Sequence, residues 1–189
     1  MKSGGILALL VMAVCSGCAF QSQAVKITPE VKSISTVSGE GKNVRVTVLD
    51  ERPSSVIGQR GVGGAGADMT IDGDLKSIVA NAVSSGLGQR RFSMQGTGES
   101  ADLRIEIRGL ESKNIMGFWS GTLRDEFSMK GICKSSKGAN YEQMYNGKFE
   151  KSIQVVPTGE ANDKYISAAV SDAVNKLVSD DGLLRCLLQ

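Results

Sequence analysis

Apolar Leu103, Ile105 and Ile107 alternate with Asp102, Arg104, Glu106 and Arg108, a period of two that predicts a strand with one buried face. The same alternation recurs at Val44, Val46 and Val48. It returns at Leu123, Phe127, Met129 and Cys133, set against Arg124, Glu126, Ser128 and Lys130. Ser135–Gly138 supplies turn chemistry, after which Tyr145, Phe149, Ile153 and Val155 are expected inward on a return strand. Shorter strands are expected at Ala24–Pro29, Ser55–Arg60 and Phe92–Gln95.

Two stretches carry helical spacing instead. Leu75, Ile78, Val79, Ala82, Val83 and Leu87 share one helix face, with Asp72 or Asp74 as the N-cap and Gly88 as a left-handed C-terminal residue. Ile166, Ala169, Val170, Ala173, Val174, Leu177 and Val178 mark a second helix over about Asp163–Ser179, ended by Gly182. The apolar end Leu183–Leu188 needs a docking site on the domain. Strands with one apolar face and two amphipathic helices predict an α+β fold. Its form is a two-layer sandwich, a mostly antiparallel sheet with both helices on one face.

The N-terminus reads differently. Lys2, the uncharged run Ile6–Val14 and the small residues before Cys18 form a secretory signal too short to span a bilayer. Val14-Cys-Ser-Gly-Cys18 resembles the bacterial lipobox, with Cys15 where Leu, Val or Ile is usual, and this resemblance implies a diacylglyceryl group on Cys18. Residues 1–17 are then the signal peptide, 18–42 a lipidated N-terminus and tether, and 43–189 a single domain. Ala19 in place of Asp implies sorting to the outer membrane, with the domain in the periplasm.

Composition narrows the chemistry. The chain of 189 residues has a formal charge of +2 and no histidine. Ser-His-Asp and Cys-His nucleophilic catalysis are therefore excluded, and no overall field favours nucleic acid. No catalytic, metal or cofactor site is expected, and the protein is not read as an enzyme. Cys133 and Cys186 remain after Cys15 and Cys18 are assigned; they either form a disulfide in an oxidising compartment or pack as two buried thiols.

The order of elements resembles the YajG-like family of bacterial envelope lipoproteins. The resemblance runs through Cys18, Lys26–Pro29, Val44–Val48, Asp50-x-Arg52, Ile57-Gly-x-Arg60, the Asp74–Gly88 helix and Ala101–Ile107. It implies an outer-membrane lipoprotein and no established chemistry.

Two segments invite a functional reading. Gly61, Gly63 and Gly66, with Gly64 between them, satisfy G-x-G-x-x-G, but residues 67–72 separate them from the next helix, so a mobile loop is expected rather than a dinucleotide cradle. Ile115, Met116, Phe118 and the only tryptophan, Trp119, lie where one strand turns into the next; they either cap the core or anchor a partner or membrane surface. Gln89-Arg-Arg91 complements a helix dipole. Two function classes follow. One is a non-catalytic interaction or scaffold module engaging an envelope protein or cell-wall polymer. The other is a small-ligand or cell-wall-fragment binding module with Gly61–Gly66 as its lid.

Overall fold

A computed structural model describes residues 21–62, 65–96, 99–116 and 120–189. Seven strands form one sheet: β1 (Gln23–Val25), β2 (Asn43–Asp50), β3 (Gly58–Val62), β4 (Ala65–Ile71), β5 (Ser100–Met116), β6 (Gly121–Lys134) and β7 (Asn140–Ile153). Among the described residues three helices accompany them: α1 (Leu75–Gln89), α2 (Gly159–Val178) and α3 (Asp181–Leu188). The expected α+β sandwich is the observed fold, with the core on the helical side of the sheet.

The sheet is mixed. Its long ladders, β5–β6–β7, are antiparallel. The N-terminal strands join in parallel: β2 lies along the first half of β5, and β3 meets the second half at Gly58 opposite Ser112. A parallel neighbour requires a crossover, and α1 lies on the path from β2 to β5. The chain order is β1-β4-β3-β5-β6-β7, with β2 beside β5.

Leu103, Ile105, Ile107, Phe127, Met129 and Tyr145 from the sheet pack with Val79, Val83 and Leu87 of α1 and Val170, Val174 and Leu177 of α2. A register shift between Ile107 and Gly109 turns Leu110, rather than the next odd residue, toward this core. The opposite face is charged. Glu106 is buried among Arg104 and Arg108, which also reach Glu51, and Lys130 bridges to Glu142. Helix α2 presses directly on the sheet at Gly147, where a Cβ would lie 1.9 Å from the Ala169 carbonyl oxygen.

Several expectations are corrected. α1 is capped by Asp74, but Gly88 stays helical and Arg91 adopts the left-handed conformation at φ 64°. α2 starts earlier than its apolar face suggests, because Thr158 accepts from the Ala161 amide and sets the first turn. The apolar tail is a third helix. Asp180 caps it, and Gly182 lies inside it rather than ending anything, its Cα against the Tyr141 ring. Val155 is 75% exposed, since β7 stops at Ile153. Phe92–Gln95 supplies one bridge, Asn43 to Ser93, and no strand.

The largest departure concerns the N-terminal tether. Beyond β1 the chain continues extended along α2 as a strap. Amides of Lys26, Thr28, Glu30, Lys32 and Ile34 donate to Asp163, Ser167, Ser171, Asn175 and Ser179 at 2.7–3.1 Å. Every second residue of an extended chain advances about 6.6 Å, and every fourth residue of a helix about 6 Å, so the two repeats stay in step. Pro29, which has no N–H to give, falls on the set of positions that the ladder does not use. Odd residues point in: Val25 and Ile27 are buried, and Val31 wedges where α1 and α2 meet at Gly86 and Val178. Arg90 closes the far end, donating to Ser33 and to the Ser33 and Ser35 carbonyls. A strap, not a free tether, occupies residues 23–35.

Candidate functional site

The topology brings both candidate segments to one end of the sheet. β3 runs parallel to β5 with Gly58 level with Ser112, so Val62 and Met116 finish on the same side. Gly61 pairs with Gly66 across the β3–β4 ladder, committing that backbone to strand pairing and not to a loop or a helix N-terminus. Gly63 and Gly64 lie outside the described residues, as do Phe118, Trp119 and Cys18. Ile115 is 55% exposed near the end of β5, and Met116 closes the strand opposite Gly121.

The N-terminal chain arrives at the same end. β1 runs parallel to β4 with Gln23 opposite Met69, so the chain enters β1 from the side of the β3–β4 tip. Gln23 is fixed there by the Gly159 carbonyl and by Asp163 and Asn162 of α2.

Beneath this end lies a buried polar cluster that the sequence did not reveal. Asp125 follows the apolar parity of β6, fully buried on the core side between Leu123 and Phe127. Burial pushes its carboxyl up to about 6, while the Ser112 hydroxyl opposite in register pulls it down. Neither carboxylate oxygen has a hydrogen-bond partner of ordinary geometry among the described residues. The same holds for Ser112 Oγ, Asn114 Oδ1, Arg60 Nε and Asn162 Oδ1. Register places Arg60, Ser112, Asn114 and Asp125 on adjacent strands at neighbouring levels. The signal was present as one polar residue in an otherwise apolar set of odd positions.

The opposite half of the molecule carries an open groove of about 1020 Å³ between α2, the strap and the edge strand β7. Its walls include Lys32, Tyr141, Gln143, Asp172 and two exposed apolar residues, Ile34 at 86% and Met144 at 41%. Its floor is ordered by Asp180. Burial works against ionisation of this carboxyl, but hydrogen bonds from Tyr145 (2.7 Å) and Tyr141 (2.9 Å) outweigh it and hold the pKa low. On the same half of the molecule Cys133 of β6 and Cys186 of α3 face each other with Cα atoms 6.4 Å apart, a separation that a disulfide spans.

At the end of β2, Arg52 forks onto both oxygens of Asp50 at 2.9 and 2.8 Å, which holds the Asp50 carboxyl below its usual range. Arg90, within the basic Gln89–Arg91 stretch, is committed to the strap. Among the described residues no group of three or more potential ligands is placed to hold a metal. No described helix is long and apolar enough to cross a membrane.

One solved structure shares this architecture. A protein from Xanthomonas campestris superposes with a TM-score of 0.53 at 12% identity, covering 84% of this chain and 91% of its own. A minor lipoprotein from Acinetobacter baumannii gives 0.47 at 9% identity over 73% and 90%. No curated protein matches the sequence. The pattern of an uncharacterized lipoprotein family, Lipoprotein_16, spans residues 29–187, from the strap to the last helix, and the chain belongs to that family.

Proposed function

We propose that this chain is an outer-membrane lipoprotein of the YajG-like kind, held by acyl groups on Cys18, whose periplasmic domain is a non-catalytic interaction module for an envelope protein. The groove beside β7 carries the reading. It combines exposed Ile34 of the strap and Met144 of the edge strand with the charged Lys32 and Asp172. Exposed apolar side chains set among charged ones suit a protein-binding surface. The edge strand offers backbone groups for pairing, although α2 already takes two of them, through Asp172 to the Lys148 amide and Lys176 to the Asn146 carbonyl. Membership in a lipoprotein family supports the anchor, and Ala19 after Cys18 supports outward sorting. The alternative of a glycine-rich lid has no comparable support, because Gly61 and Gly66 are paired strand residues.

Two measurements test the two halves of this reading. Labelled palmitate enters the wild-type chain and not Cys18→Ser; equal labelling of both sinks the anchor. A photo-crosslinking residue at Met144 yields a discrete protein adduct in intact cells that Ile34→Glu abolishes. The same probe at Glu111, outside the groove, yields none. Identical adducts from both positions sink the groove as the contact surface.

A further inference from the structure

The point where the fold begins limits how an anchored domain can stand. We propose that the hairpin end of the sheet rests on the phospholipid bilayer, with Ile115 and Val155 at its surface and the Cys133–Cys186 end farthest away. This rests on acylation of Cys18. Five residue steps separate Cys18 from Gln23, where the fold begins, and a fully extended chain of that length reaches at most about 18 Å. Gln23 is level with Met69, Gly58 and Ser112. From Ser112 to the near end of β5 at Met116 is about 13 Å at the strand rise, and to the far end at Ser100 about 40 Å. The acylated residue therefore reaches the hairpin end and cannot reach the other. Had residues 23–35 been a free tether, no orientation would follow.

The chemistry of that end suits a headgroup layer. Two of the five large apolar residues most exposed among those described lie there: Ile115 at 55% and Val155 at 75%. Beyond the Ser112–Asp125–Phe149 row, the described strand residues carry Arg60, Lys113, Arg124 and Lys151 against Asp68 and Glu150; Lys113 pairs with Glu111 and Arg124 with Glu126 and Glu150, so the basic surplus rests on Arg60 and Lys151. Exposed apolar side chains among basic residues are the composition of an interfacial contact, and anionic lipid attracts the surplus charge. Contact at this end leaves the groove beside β7 open to the periplasm.

The test uses the full acylated chain in vesicles of phosphatidylethanolamine and phosphatidylglycerol. Intact mass is measured first. A chain from cells that lacks the acyl mass overturns the anchor and this inference with it. With the acyl mass present, single-tryptophan variants in a Trp119→Phe background report depth against a lipid quencher placed near the headgroup. Ile115→Trp should lose about half its emission, because tryptophan seats at headgroup level, and Glu142→Trp almost none. Equal quenching of both, or of neither, overturns the orientation alone. The wild-type chain gives the same answer without substitution. A photoactivatable phospholipid should label peptides within residues 113–124 or 151–158, and label confined to 134–146 overturns the proposal.

Discussion

Asp125 is a carboxyl placed where the strand pattern calls for an apolar side chain. Its pKa rises from 3.8 to about 6 through burial. Between those two values the folded protein holds a proton that the unfolded chain has released. Stability from this group is therefore fully present at low pH and is lost as pH rises through about 6, a cost of about 3 kcal/mol at neutral pH. Asp125→Asn removes the ionisation and keeps the shape. Urea melts at pH 7.5 should show the variant more stable by up to about 3 kcal/mol, with the difference closing toward pH 4. A difference that does not change with pH refutes the assignment.

The strap ladder belongs to the scale of elements. Asp163, Ser167, Ser171, Asn175 and Ser179 recur every four residues along and just beyond α2, and several are poor helix formers that earn no place by propensity. That row was visible in the sequence as one polar face of an amphipathic helix. Its partner was not, because the strap has no hydrogen-bonded neighbour of its own kind to give it a strand signature. Each of these bonds is exposed, so a freed amide can turn to water, and one substitution costs well under about 1 kcal/mol. The triple variant Ser167→Ala, Ser171→Ala, Asn175→Ala should lower stability by about 2 kcal/mol. It should also speed amide exchange at Thr28, Glu30 and Lys32 selectively. Unchanged exchange there would mean that the buried Val25, Ile27 and Val31 hold the strap alone.

For the whole molecule, a bridge between Cys133 and Cys186 would tie the C-terminal helix to the sheet. Cys133 and Cys186 stand 53 residues apart, and closing a loop of that length stabilises the fold by about 4 kcal/mol in the chain-entropy account. The denatured, unreduced mature chain should offer no titratable thiol at these positions, and reduction should shift its denaturant midpoint downward. Two free thiols in material from the periplasm would remove the bridge. Leu183, Leu184 and Leu187 would then be left as the docking contacts of α3.

Alternation at Leu103–Ile107 and Leu123–Cys133, and the period of α1 and α2, determined two layers with one apolar interface, since these patterns bury a continuous face only when paired. The lipobox-like Cys18 gave the expectation of an anchor, and an even pair of cysteines narrowed their fate to two choices. Register and direction were decided in three dimensions. The parallel placement of β2 and β3 against β5, and the pairing of Gly61 with Gly66, depend on contacts between residues far apart in the chain. The strap depends on them most, because extended backbone with few apolar side chains acquires a fixed place only when a helix face supplies its hydrogen bonds.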